Sequence, residues 1–104
     1  MTLRIIFFLS VLFPSTPDGA VALSPNMANL VVLNQHLAIP KPFGPIDNGV
    51  DVFEEYVAMQ LGPLGLTCHF IDDWLWYHDV RGEIHCGTQV LRAHPVDVPW
   101  WQKE

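Results

Sequence analysis

The sequence is poor in positive charge. It has 5 lysines and arginines against 11 aspartates and glutamates in 104 residues, which gives a formal net charge of −6. Because no basic run is available to neutralise phosphates, we expect no nucleic-acid partner. The acidic balance favours a cationic ligand, such as a guanidinium group.

Cysteines and long apolar runs are also scarce. The two cysteines, Cys68 and Cys86, cannot build a disulfide framework, so a reduced compartment is the simpler expectation. The apolar run ahead of Pro14 is too short to span a bilayer, and we expect no membrane partner. Half of the residues are nevertheless apolar and only 15% are charged. This composition predicts at most one ordered domain, with buried faces that need a partner or further domains.

Residues 1–24 form an apolar N-terminal segment followed by a turn, and two interpretations of it stay open. The run from Met1 to Phe13 with the small residues before Leu23 resembles a secretory signal cleaved after Ala22, which would mean export. Alternatively, Ile5–Phe13 is a buried strand of a larger domain. We favour the strand, because cleavage would leave a remnant poorly able to stand alone.

One helix is expected over residues 51–61. Asp51 and Glu54 have capping-box spacing, and the glycines and proline at 62–65 end the helix. Its expected buried face comprises Val52, Phe53, Tyr56, Val57 and Leu61.

Several strands and loops complete the pattern. Strands are expected at residues 30–33, 66–71, 74–78 and 83–91. The first is apolar throughout, so we expect it to be buried on both faces. Residues 16–19, 24–26 and 80–82 are expected turns. Three prolines exclude residues 39–45 from a helix or a central strand and predict an ordered loop or linker. The order of elements indicates a mixed α/β unit.

Cys86 is the candidate nucleophile. A free thiol with a pKa of about 8.5 is only a few per cent ionised at pH 7, so a neighbour must lower its pKa. A cation from a histidine, an arginine or the substrate would do so. In an extended segment His85 and Cys86 point to opposite faces, so His85 could not activate the sulfur. Gly87 would let a substrate or another backbone approach. The alternative is an inert buried thiol.

Three other residue groups have functional and structural interpretations. Paired carboxylates could act in acid–base or calcium chemistry, but at a helix start and a strand end they are expected to be caps and solvated charges. These are Glu54, Glu55, Asp72 and Asp73. A tetrahedral zinc site could use two pairs of adjacent residues, Cys68–His69 and His85–Cys86. Neighbouring side chains point to opposite faces of a strand, so both members of a pair could rarely bind one ion.

Four tryptophans could be anchors of a secreted or regulatory interaction module, or could pack the domain itself. These are Trp74, Trp76, Trp100 and Trp101.

Two rare strings resemble protein-arginine deiminases. They are Ile-Pro-Lys-Pro-Phe-Gly-Pro at residues 39–45 and Gly-Glu-Ile-His-Cys-Gly-Thr at residues 82–88. The order and spacing hold from roughly Pro25 to the end, so residues 25–104 resemble the C-terminal part of the catalytic domain. The resemblance implies an α/β fold: the last blade, mixed strands plus one helix, of a pentein-type five-bladed α/β propeller that is incomplete in this chain.

The resemblance also implies a chemistry. Cys86 matches the family nucleophile, which converts peptidyl arginine in protein substrates to citrulline and ammonia with calcium as cofactor. The family's general-acid histidine, guanidinium-binding aspartates and calcium ligands lie upstream, so this chain holds no expected metal ligand. We expect the isolated chain to be inactive and to need the remainder of the deiminase domain as a partner.

Two further expectations follow from the resemblance. Vertebrate members carry a substrate-contacting arginine at the position aligned with Val80, and here an arginine stands one place later, so Arg81 is the candidate substrate-binding residue. A cytoplasmic location is expected, or a secreted one if Met1–Ala22 is a signal peptide.

Overall fold

A computed structural model describes residues 12–16 and 19–92 of the chain. Seven strands and one α-helix occur in this part. They are β1 (Leu12–Thr16), β2 (Gly19–Ala22), β3 (Val31–Leu33), β4 (His36–Pro40), β5 (Ile46–Asp47), β6 (Val50–Asp51), α1 (Val52–Leu61) and β7 (Thr67–Ile71). Three short 3₁₀ helices span Gly62–Leu64, His78–Val80 and Ile84–Gly87. The fold is therefore α/β with mixed sheets, as the sequence predicts.

Two antiparallel hairpins form separate two-stranded sheets. β1 pairs with β2, so the strands on either side of the expected turn at 16–19 run antiparallel. β5 and β6 are joined by Asn48 and Gly49, which both have positive φ, at 48° and 82°. An Asn-Gly pair in this conformation forms the two-residue turn whose twist matches that of the paired strands.

The main sheet has three strands in the order β3-β4-β7. β4 is antiparallel to β3 and parallel to β7, and the parallel pairing needs the crossover that passes through α1. Residues 39–45 were expected to lie outside any central strand. This is wrong for Ile39 and Pro40, which are the last two residues of β4, the middle strand of the sheet. Pro40 is tolerated as the last residue of the strand, and Lys41 N resumes the pairing by donating to Ile71 O at 2.8 Å. Residues 41–45 form a loop, as expected.

The core lies between α1 and the sheet. Its buried members are Met27, Leu37, Ile39, Val57 and Leu61. On α1 the expected buried face is correct for Val57 and Leu61, but Tyr56 is exposed. Strand β3 also differs from expectation: it is an edge strand that buries only Val31, so residues 30–33 are not covered on both faces.

The start of α1 is held by Asp51. Its Oδ1 accepts hydrogen bonds from Phe53 N and Glu54 N at 2.9 and 3.2 Å, and its Oδ2 accepts one from Gly44 N at 2.7 Å. The carboxylate therefore caps the helix and also ties it to the proline-rich loop. Glu54 pairs with Lys41 instead of closing a capping box.

The strands expected at 74–78 and 83–91 are wrong. Residues 74–77 form a turn that leads into the 3₁₀ helix His78–Val80, and residues 88–92 have no regular structure. Local hydrogen bonds replace the sheet ladder: Asp72 Oδ1 accepts from Trp74 N at 3.2 Å, and Asp73 Oδ2 accepts from Ile84 N at 2.8 Å. Aspartates that bond nearby amides in this way compete with strand pairing.

Some expectations fall outside the described residues. The run from Met1 to residue 11, His94, Trp100 and Trp101 are among these, so the choice between signal peptide and buried strand stays a prediction. Within residues 12–16 and 19–92, no helix has the length and apolar content needed to cross a bilayer.

Candidate active site

Cys86 lies in the 3₁₀ helix Ile84–Gly87 and is exposed. Its backbone N–H donates to Glu83 O at 2.9 Å, while its Sγ accepts a hydrogen bond from Asn29 Nδ2 at 3.0 Å. The alternative that Cys86 is buried is therefore wrong, and its reactivity stays a prediction. Residues 84–87 are not extended, so strand alternation does not separate His85 from Cys86. The hydrogen-bond partner of Sγ is nevertheless the Asn29 amide and not the imidazole.

The environment of Cys86 favours the thiolate. The Asn29 N–H, which donates to a negative sulfur better than to a neutral one, lowers the pKa of Cys86 below its usual value, and the negative charge of Glu83 opposes this only in part. Cys68, on β7, is the opposite case, since partial burial raises the pKa of its thiol. Both cysteines are free. Cys86 is thus the more easily ionised of the two.

Asn29 belongs to a turn that sequence reasoning missed. Asn29 N donates to Asn26 O and Ala28 N donates to Asn26 Oδ1, both at 3.0 Å, while Met27 is buried in the core. Asn26 N reaches across to Glu83 Oε1 at 3.2 Å. The turn thus contacts the Cys86 segment at two points, both 57 positions away in the chain.

A buried polar cluster lies under the Cys86 segment. Glu83, 5% exposed, accepts from His78 Nδ1 at 2.7 Å, and His78 Nε2 lies 3.1 Å from Leu23 O. Both ring nitrogens of His78 face acceptors, so both hydrogen bonds form when the ring carries two protons. The expectation that Asp73 is a solvated charge is wrong, because it is only 2% exposed.

Asp73 and Glu83 form an acid pair within this cluster. Burial, with the nearby charge of Glu83, raises the pKa of Asp73 to about 6. Asp73 Oδ1 and Glu83 Oε2 are both buried and receive no hydrogen bond from the described residues. If one of the two carboxyl groups is protonated, it can donate a hydrogen bond to the other, and the repulsion between the two charges is removed.

Two glycines border Cys86. A Cβ at Gly82 would lie 3.4 Å from Cys86 Cβ, in close contact. A Cβ at Gly87 would clash with the ring of Tyr77, so the space expected for a substrate or backbone at Gly87 is filled by this ring. Gly87 is therefore needed for the packing of Tyr77.

Arg81 ends the 3₁₀ helix His78–Val80 in a left-handed conformation, with φ of 68°. Its N–H donates to His78 O at 3.0 Å, and its side chain is exposed. Its guanidinium group makes no ion pair with the described residues. The role of Arg81 in substrate binding stays a prediction.

Two of the other candidate carboxylates have structural roles here. Glu54 pairs with Lys41, and Asp72 caps the turn at Trp74. Across the described part of the chain, no three His, Cys, Asp or Glu side chains come close enough to share a metal ion, so the proposed zinc set does not assemble. An open cleft of about 560 Å³ contains two of the tryptophans. It is lined by Phe43, Asp72, Trp74, Leu75 and Trp76.

Comparison with known proteins gives one family. The model of the family described as protein-arginine deiminase (PAD) matches residues 8–102. The chain is similar to rat protein-arginine deiminase type-3, with 53% identity over 90 residues, and this match covers 86% of the chain and 13% of that protein. It is 56% identical over 82 residues to mouse type-1 and 54% identical to human type-4, which covers 79% of the chain and 12% of each relative. The chain thus spans about an eighth of the length of these curated relatives.

Proposed function

This chain belongs to the protein-arginine deiminase family, and we propose that it forms the C-terminal part of the catalytic domain and supplies Cys86 as the nucleophile. In this proposal its strands and helix make the last blade of a five-bladed α/β propeller. The observation that carries the proposal is the exposed sulfur of Cys86, the cysteine of the string Gly-Glu-Ile-His-Cys-Gly-Thr. This sulfur accepts a hydrogen bond from the Asn29 amide at 3.0 Å.

The proposed reaction uses the thiolate directly. Cys86 Sγ attacks the guanidinium carbon of a peptidyl arginine, and a C–S bond forms. One C–N bond then breaks, and its nitrogen takes a proton and leaves as ammonia. Water attacks the same carbon, the C–S bond breaks, and citrulline and the free thiol are released. The acidic chain and the anionic sulfur both attract the cationic substrate.

The reaction needs groups beyond Cys86. An acid must protonate the leaving nitrogen, and carboxylates must hold the planar guanidinium in position. We assign these roles to the remainder of the deiminase domain, which makes that polypeptide the main partner and the isolated chain inactive. Arg81, at the exposed turn ahead of Cys86, is the substrate contact that this chain would add.

Calcium is the cofactor that the family resemblance implies. The described residues do not fit it, because no three of their carboxylate, histidine or cysteine side chains come together. We therefore place no step of the reaction on calcium, and its ligands in this proposal lie elsewhere in the domain.

We also propose a cytoplasmic location and arginine-containing proteins as substrates. Cys86 must stay reduced to act, and both cysteines of the chain are free thiols. A non-catalytic interaction module is the second candidate. It is favoured by the exposure of Leu75 and Trp76, 73% and 79%, beside the aromatic cleft.

A segment exchange tests the catalytic proposal. The matching segment of human type-4 deiminase is replaced by this chain, and citrulline formation from a peptidyl arginine is measured. We expect activity in the chimera, and we expect Cys86→Ser to lower kcat by more than about 1,000-fold because the covalent step is lost. Cys68→Ser is the matched control, and its kcat should stay close to that of the parent chimera.

Two results would contradict the proposal. A folded chimera that forms no citrulline would favour the interaction module, and retained activity in Cys86→Ser would remove Cys86 from the reaction. The isolated 104-residue chain with calcium and peptidyl arginine should give no citrulline above background. Citrulline from that sample would show that the missing groups are not required.

A further inference from the structure

We propose that Asn29 is a positioning residue that holds the Cys86 sulfur in its ionised, outward-facing state through its Nδ2–H. This inference rests on the proposed function, because it assigns the group that prepares the nucleophile. The observation is the 3.0 Å hydrogen bond between Asn29 Nδ2 and Cys86 Sγ, which joins segments 57 positions apart.

The support for Asn29 is built into the fold. Its turn closes through Asn29 N and Asn26 O at 3.0 Å, and Met27 anchors the turn with only 2% of its surface exposed. Asn26 N also bonds the Glu83 carboxylate, three residues before Cys86. Two contacts from one short turn therefore fix the donor and the acceptor relative to each other.

The choice of an amide suits a cationic substrate. A lysine or arginine at this position would also favour the thiolate, but its positive charge would repel an incoming guanidinium group. The Asn29 amide is neutral and donates one N–H to the sulfur, so it favours ionisation of Cys86 without this repulsion. The donor can stay beside the sulfur while the C–S bond forms and breaks.

Alkylation of the full chain tests the role of Asn29. Wild type, Asn29→Ala, Asn29→Leu and Asn29→Asp are treated with iodoacetamide from pH 5 to pH 10, and the rates at Cys86 and Cys68 are followed separately by peptide mass spectrometry. We expect all three substitutions to move the midpoint of the Cys86 profile to higher pH. The shift should be larger for Asn29→Asp, whose carboxylate repels the thiolate. At pH 7 the Cys86 rate should fall by about 3- to 10-fold.

Cys68 serves as the internal control for folding. It lies on β7, half-buried, and its profile should not change in any variant. If Asn29→Ala disturbs the turn, Cys68 becomes more reactive, and Asn29→Leu, which has nearly the shape of the wild-type side chain but neither a donor nor a charge, decides the question. A Cys86 midpoint that stays in place in Asn29→Ala or Asn29→Leu while Cys68 is unchanged would overturn the inference.

The alkylation experiment and the chimera experiment test the role of Asn29 and the deiminase proposal independently. An active chimera with an unchanged Cys86 midpoint overturns the role of Asn29 and leaves the deiminase proposal standing. An inactive chimera with a shifted midpoint removes the deiminase proposal, and with it the catalytic meaning of Asn29. Both the role of Asn29 and the deiminase proposal are supported if substitution of Asn29 moves the alkylation midpoint of Cys86 to higher pH and moves the acidic limb of the chimera's pH profile of kcat/KM by a matching amount.

Discussion

The carboxyl groups of Asp73 and Glu83 share one buried site beneath the segment that carries Cys86. Each has an oxygen that no described donor reaches, and together with burial this neighbour raises the pKa of Asp73 to about 6. The other Asp73 oxygen accepts from Ile84 N at 2.8 Å, so the pair sits at the base of the 3₁₀ helix Ile84–Gly87. The protonation of Asp73 is therefore linked to the stability of the Cys86 segment.

The first prediction concerns the pH dependence of stability. The folded-state pKa of Asp73, about 6, lies above the ordinary value of 3.8, so the folded chain binds more protons than the unfolded chain between these values. The stabilisation from this proton is present below about pH 4 and is lost as the pH rises through about 6. The loss is at most about 3 kcal/mol in the free energy of unfolding. Urea unfolding at pH 4.5 and pH 7 measures it.

Asp73→Asn is the matched variant for this prediction. An asparagine keeps an acceptor for Ile84 N and can donate to Glu83, so the variant should be more stable than wild type at pH 7. The difference between the two chains should shrink towards pH 4.5. Equal pH dependence in the two chains would contradict the acid pair.

The second prediction concerns the start of α1. Asp51→Ala removes the acceptor for Phe53 N and Glu54 N and also the acceptor for Gly44 N. We expect a loss of about 2–4 kcal/mol in the free energy of unfolding. Asp51→Ser keeps an oxygen that can cap the helix, but the serine side chain is too short to reach Gly44 as well. The loss in free energy of unfolding should therefore be smaller than in Asp51→Ala. Equal losses in the two variants would show that the Gly44 contact adds nothing.

The third prediction compares two glycines. A Cβ at Gly44 would lie 2.6 Å from the Phe53 ring and 2.7 Å from Asp51 Oδ1, so Gly44→Ala should destabilise the chain by about 1–3 kcal/mol. Gly62 has helical backbone angles and no atom beyond its chain neighbours within 4 Å of an added Cβ, but that Cβ would meet the ring of Pro63, so Gly62→Ala should change the free energy of unfolding by less than about 1 kcal/mol. Thermal unfolding of both variants gives the comparison. A larger loss of stability in Gly62→Ala than in Gly44→Ala would refute this account of the packing.

The fourth prediction separates strain from substrate binding at Arg81. Its φ of 68° is costly for a side-chain residue, so Arg81→Gly should stabilise the fold by about 1 kcal/mol. If Arg81 contacts the substrate, the same change in the chimera should raise KM for peptidyl arginine by about tenfold or more. Val80→Gly is the control, which should cost stability and leave KM unchanged. An unchanged KM in Arg81→Gly would withdraw Arg81 as a substrate contact.

Local patterns accounted for the correct part of the predicted structure. Helix α1 begins after its capping residue and stops at the glycine and proline that follow it. Strand β7 follows from a short apolar stretch, and the turn at 80–82 follows from a stretch that contains a glycine. The segments at 74–78 and 83–91 were assigned wrongly, because aromatic residues and alternation suit a strand as well as a turn. The side chains of Asp72 and Asp73, which bond amides at Trp74 and Ile84, favour the turn instead.

The amino-acid sequence by itself determined the family and the cysteine on which the proposed chemistry depends, because both are carried by short strings of adjacent residues. It also determined the bounds of α1, since caps and breakers act within a few residues. Only the tertiary structure decided that Asn29 faces Cys86, that Asp73 is buried against Glu83, and that Pro40 ends a central strand. These contacts depend on the path of the whole chain, which brings together groups up to 57 positions apart that no local pattern relates.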